Sequence, residues 1–187
     1  MALLVMATPA EGARGKDEVS RTAGFERLMR QYERLVLGTA MRLTGSVEDA
    51  RDVSQEVFLK LYRNLDKVRA EAALSSWLYR VTVNACHDLR RRKRPESPVE
   101  DAGRLEWAGA DPQQALSEAE RRRALELSLR VLSEKERAAL VLRDLEGLST
   151  EEVARVLGSS EATVRSQIWK ARVKVKGFVE RYFGRRS

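Results

Sequence analysis

The chain has 187 residues, 43% hydrophobic and 34% charged, with a net charge of +7 and a sequence pI near 9.8. A single cysteine, Cys86, excludes an intrachain disulfide, and with one histidine, His87, too few soft ligands exist for a four-ligand zinc site. The opening MALLVMA is too short for a membrane span and lacks the basic flank of a signal peptide. The expectation is a protein of a reducing cytoplasm, without cofactor, metal or membrane insertion.

The charge is unevenly spread. Residues 21–94 hold sixteen basic and nine acidic side chains, as do residues 121–187, while 95–120 holds one basic and seven acidic. Two basic lobes therefore flank an acidic connector. Such lobes favour anionic partners, nucleic acid before membrane. Pro95, Pro98 and Pro112 fall in the connector and Pro9 near the N-terminus, so both basic lobes are free of proline and suited to helices. The division predicted is a disordered tail over 1–21, a helical domain over 22–94, a flexible acidic linker over 95–120 and a second helical domain over 121–187. The fold class is all-α.

In chain order, Phe25, Leu28, Met29, Tyr32 and Leu35 or Val36 form an apolar stripe that runs on to Leu43 and breaks at Gly45. Ser46, three residues before Asp49, predicts an N-cap. The next helix should bury Ala50, Val53, Val57, Phe58, Leu61 and Leu65. A loop is expected over 66–74, with Ser75 or Ser76 capping a helix that buries Leu78, Val81, Ala85 and Leu89. This helix ends in five cations, Arg90 to Arg94, before Pro95. Trp107 in the linker has no assigned place. In the second lobe a helix covers 124–132. Ser133 with Glu136, and Ser149 with Glu152, predict two capping boxes. Gly147 ends one helix, Gly158 makes a tight turn, and a last helix runs over 161–182.

Three surfaces carry possible chemistry. On the last helix, Val164, Ile168, Ala171, Val175 and Phe178 should face inward, leaving Ala162, Ser166, Trp169, Lys170 and Val173 outward, flanked by Arg165 and Lys176. Small, polar and cationic side chains there suit a DNA major groove, behind a helix-turn-helix spacing. A plain three-helix bundle with a solvated basic face is the other reading. On the helix before the linker, Arg80, Val83, Asn84, His87 and Arg91 should lie outward, with Trp77 near the start. Cations, amides and aromatics together can hold a single strand, although Trp77 fits a core as well, and cations also suit a helix C-terminus. Asp52, Gln55 and Glu56 share one face with Lys60 beside them, a pattern that spacing alone leaves as a solvated surface. Cys86 and His87 are neighbours on one helix and point about 100° apart, which does not suit a nucleophile–base pair. No catalytic motif is present, so no enzyme is expected.

The order of these segments resembles the bacterial sigma-70 family of RNA polymerase sigma factors, in its small two-domain extracytoplasmic-function (ECF) group, from about Phe25 to Phe183. DARDVSQEVFLKLYRNLDKV is similar to the family's polymerase-binding helix and SSWLYRVTVNACHDLRRRKR to its helix for the promoter's minus-ten element. LSEKERAALVLRDLEGLSTEEVARVLGSSEATVRSQIWKAR is similar to its minus-thirty-five domain. The resemblance implies an alternative sigma factor that directs promoter-specific initiation with core RNA polymerase, through the β′ clamp and the β subunit. It implies that Asp52, Gln55 and Glu56 grip the clamp, that Trp77, Arg80, Asn84, His87 and Arg91 serve the opened minus-ten element, and that Arg165, Ser166, Trp169 and Lys170 read the minus-thirty-five duplex. The loop over 66–74 would capture a flipped base, and an anti-sigma protein often holds members of this group. Ala162 and Gln167 depart from the usual recognition-helix pattern. A repressor or activator without polymerase contact is what the helix-turn-helix alone would suggest.

Overall fold

The computed structural model describes residues 10–65, 71–93 and 118–184, and their side chains from 21, 73 and 120 onward in those segments. Among the described residues there is no strand. The helices are α1 (Ala10–Thr44), α2 (Val47–Arg63), α3 (Glu71–Lys93), α4 (Glu118–Arg130), α5 (Glu134–Leu140), α6 (Thr150–Leu157) and α7 (Glu161–Gly184), with a π-helical turn, Val141–Leu145, continuing α5. No helix among the described residues is long and apolar enough to cross a membrane.

Local signals place most helix ends. Ser46 accepts a hydrogen bond from the Asp49 amide at the start of α2. Ser133 with Glu136, and Ser149 with Glu152, form complete capping boxes at α5 and α6. Each satisfies two amides that the first helical turn would otherwise leave unpaired. Gly147 (φ 78°) and Gly158 (φ 59°) take left-handed conformations that stop the helices before them.

Several sequence expectations need correction. α1 begins at Ala10, so only 1–9 of the expected tail lies outside the described residues; the stretch from Ala10 to Thr44 contains no proline to stop the helix. α3 begins at Glu71, so Ser75 and Ser76 lie inside it and cap nothing. Leu74 is 2% exposed and packs with the core, and burial of an apolar turn outweighs the weak capping preference of the serines. α4 begins at Glu118, inside the expected linker. The rest of the linker with Trp107, and positions 66–70 of the expected loop, lie outside the described residues.

α1, α2 and α3 pack on one another around Val36, Val57, Leu61 and Leu78, each 0% exposed. α4, α5 and α6 pack on α7, with Leu142, Val153, Val164 and Ala171 fully buried. At the N-terminal side of the first half, Phe25 and Arg21 both lie on the Tyr62 ring. The two halves do not stand apart. α3 packs on α6, and α1 touches α4, α5 and the π turn, so both cores join in one apolar cluster.

Candidate functional site

The acidic face of α2 lies open. Asp52 and Gln55 are exposed and Glu56 is half-buried. Glu56 accepts from Lys60 at 2.7 Å, and Arg92 of α3 comes within 3.6 Å. The Lys60 hydrogen bond holds the Glu56 carboxyl below its ordinary value against the opposing effect of burial. Lys93 pairs with Asp49 on the same helix. The cationic end of α3 therefore lies along the acidic edge of α2, and part of the five-cation run is neutralised within the fold.

α3 has three faces. Leu74, Leu78 and Ala85 face the α1–α2 core. Tyr79, Val83, Cys86 and Arg90 fall within about 60° of one another at 100° per residue. Tyr79 and Arg90 bond to the second half, and Val83 is 2% exposed. Val83 was expected outward; the second half, which the helical period of α3 cannot reveal, packs along this side. Between these faces lies the open one. Arg80, Asn84 and Arg91 are exposed, and Trp77 and His87 are half-buried. All five residues expected to serve a single strand therefore share one side, where Arg91 pairs with Asp88 at 3.2 Å.

The recognition surface is on α7. The turn at Gly158 closes with the Ser159 amide bonded to Ala154 O at 3.0 Å, and Ser160 accepts from the Thr163 amide at 3.1 Å. Val164, Ile168 and Ala171 are buried, as their spacing predicts. Arg165, Ser166, Trp169 and Lys170 are all exposed, Trp169 at 66% and Val173 at 53%. Gln167 lies half-buried, nearer the core. Arg165 is held by Glu161 at 2.9 Å.

Two contacts anchor α7 that local spacing does not reveal. Arg172 makes a two-pronged pair with Asp144 of the π turn, at 2.9 and 2.7 Å. Lys174 meets both oxygens of Glu136, at 2.9 and 2.8 Å. Spacing along α7 assigns no role to Arg172 or Lys174; the structure uses both to seat the helix. Arg137, unlike these two, is a buried cation. It is 5% exposed and donates to the carbonyls of Leu129, Leu43 and Leu132 at 2.7, 2.8 and 3.3 Å. Cys86 is buried, and burial, with Asp49 nearby, pushes its thiol up to about 12, which is the wrong direction for a nucleophile. Among the described residues no cluster of metal ligands occurs.

The described surfaces therefore comprise an acidic patch, a basic and amide-bearing helix face, and a recognition helix behind a tight turn. The family description Sigma-70 region 2 matches residues 28–96, and Sigma-70, region 4 matches residues 122–175. The RNA polymerase sigma-H factor of Pseudomonas aeruginosa is 36% identical over 158 residues, covering 79% of this chain and 82% of that protein. The ECF RNA polymerase sigma-E factor of Escherichia coli is 34% identical, over 83% of this chain and 86% of that one. ECF sigma factor SigE of Mycolicibacterium smegmatis is 32% identical, over 97% and 76%. The sigma factor RpoE of Bartonella quintana, solved with the anti-sigma factor NepR, has a similar fold, with a TM-score of 0.66 at 21% identity over 84% of this chain and 97% of that one. CnrH, solved with the cytosolic domain of CnrY, gives 0.59 at 25% identity over 85% and 89%. The chain belongs to the sigma-70 family, in its extracytoplasmic-function group.

Proposed function

We propose that this sigma factor binds core RNA polymerase and divides promoter reading between its two halves. Asp52, Gln55 and Glu56 offer carboxylates and an amide to the β′ clamp. Trp77, Arg80, Asn84, His87 and Arg91 hold the opened minus-ten strand by stacking, hydrogen bonds and charge. Arg165, Ser166, Trp169 and Lys170 enter the minus-thirty-five major groove. RNA synthesis belongs to the polymerase, and the factor contributes recognition. It works in the cytoplasm, where an anti-sigma protein is a further partner of the kind seen with its structural relatives.

The observation that carries this reading is the open face of α7. Trp169 and Val173 are held in water, 66% and 53% exposed, beside Lys170 on a helix anchored from beneath. Thymine methyls and phosphates would cover that mixture. The test is initiation on a promoter with its upstream element intact or scrambled. Trp169→Ala with Lys170→Ala should lower output from the intact promoter to the level of the scrambled one. Equal proportional loss on both templates would remove α7 from element reading.

A further inference from the structure

One carboxylate of the second half bonds to two helices of the first. Glu146 closes the π turn, and its side chain is only 11% exposed. Its Oε1 accepts from Thr39 at 3.1 Å and from Arg42 at 2.6 Å, both on α1. Its Oε2 accepts from the Tyr79 hydroxyl of α3 at 3.1 Å. Around it, Arg137 donates to Leu43 O at 2.8 Å, and Arg90 pairs with Glu134 at 3.3 Å. Each of these contacts crosses from one half to the other.

The junction therefore sets a buried polar centre beside the apolar cluster that both halves share. Burying a carboxylate costs desolvation that its partners only partly return, and water can satisfy every group on opening. Removing one member from the closed form leaves the others buried and unpaired, so the closed form depends on the whole set.

The closed form also conflicts with the proposed task. α6 packs on α3 and α7 packs on α6. Packed helix axes lie about 8–10 Å apart, so α3 and α7 are within about 20 Å of each other. Elements named minus ten and minus thirty-five are about 25 base pairs apart, or roughly 85 Å of duplex at about 3.4 Å per pair. One closed molecule cannot reach both.

We infer that Glu146 is an autoinhibitory latch: bonded to Thr39, Arg42 and Tyr79, it holds the reading helices together, and polymerase engages the form in which it has let go. This rests on the proposed division of promoter reading between the halves. If the open form is about 0.1–10% of free molecules, a partner that binds only that form pays for the rest. Releasing the latch should then tighten apparent polymerase binding by about tenfold or more.

The test uses the full chain with fluorophores on Arg30→Cys and Arg155→Cys, both exposed and outside the proposed binding surfaces; Cys86 is buried and its thiol suppressed. Glu146→Ala, and separately Thr39→Val with Tyr79→Phe, should lengthen the distance between the labels and tighten binding to core polymerase. The second pair of substitutions keeps side-chain shape, so loss of packing would not mimic the effect. In a separate arm, Arg90→Cys and Glu134→Cys joined by a bis-maleimide linker with an internal disulfide should initiate at least tenfold less than the same chain after reduction. Distances unchanged in both variants, or a bridged chain that initiates as well as the reduced one, would overturn the latch. A parent chain that starts no transcript while its label distance still responds to Glu146→Ala would overturn the promoter reading and leave the latch standing.

Discussion

Tyr79 and Glu146 lie 67 positions apart and share a hydrogen bond of 3.1 Å. Burial first, and then the Glu146 carboxylate, push the Tyr79 phenol above its ordinary value of 10.0. It therefore stays a hydrogen-bond donor throughout the neutral range. The bond ties the helix proposed for the opened strand to the turn whose Asp144 seats the recognition helix. Two residues apart, Asp144 on the π turn faces α7 and Glu146 at its end faces the first half.

Arg137→Ala should be the most disruptive of the polar substitutions considered. It would remove the hydrogen bonds to four carbonyls, on Leu129, Leu43, Leu132 and Arg130, at a cost of about 3 kcal/mol. For a chain of this size that corresponds to roughly 6–12 °C in Tm. Calorimetry of the full chain reads it directly; a shift under about 2 °C would mean that water takes over the carbonyls.

Glu136→Gln should weaken stability at neutral pH by about 1–2 kcal/mol, through the Lys174 pair and part of the capping box. Burial pushes the Glu136 carboxyl upward, but hydrogen bonds from Lys174 and Ser133 outweigh it and leave the group below its ordinary 4.5. The folded form thus binds fewer protons than the unfolded one between those two values. The contribution is fully present above 4.5 and is lost as pH falls through the lower, folded value. Urea midpoints of parent and variant should differ at pH 7 and converge in acid. A constant difference down to pH 3 would show that the carboxylate charge contributes nothing.

Asp144→Ala should loosen the seating of α7 while costing at most about 1 kcal/mol of stability, because the Arg172 pair is largely exposed. Binding of an upstream-element duplex by the polymerase holoenzyme should weaken, and an Asp144/Arg172 double-mutant cycle should show coupling of about 0.5–1 kcal/mol. Additive losses would mean that Arg172 contacts DNA in its own right.

Gln55→Ala with Glu56→Ala should weaken polymerase binding while leaving helical content and Tm near those of the parent. Gln55 is exposed, and Glu56 is half-buried and paired with Lys60 and Arg92 at the surface, where truncation leaves no cavity. Unchanged affinity in a competition assay would remove this face from the clamp contact.

The parts of the fold visible in the sequence are those decided within a few residues. Ser46, Ser133 and Ser149 announce their helices because capping needs only the next three positions. The buried side of α7 follows from its 3.6-residue period. What the sequence hides depends on segments far along the chain. Val83 falls on the outward side of α3 when only α1 and α2 are considered, yet the second half packs along that side. Ser75 and Ser76 read as caps because nothing local shows that Leu74 has a core to enter. Glu146 stands before a helix-ending glycine with no spacing that relates it to Thr39, Arg42 or Tyr79. The three candidate surfaces were legible as residue types on helix faces, whereas the internal use of Arg172, Lys174, Arg92 and Lys93 was not, since each is a cation whose carboxylate partner is set by tertiary packing.

The most direct test of the account is transcription reconstituted from the purified chain, core RNA polymerase and a library of genomic promoter fragments. The prediction is that transcripts start at a discrete set of promoters only when the chain is present, and that scrambling either the upstream or the downstream element abolishes those starts. Starts that need only the upstream element, or none on any fragment, would contradict a factor that reads promoters with both halves.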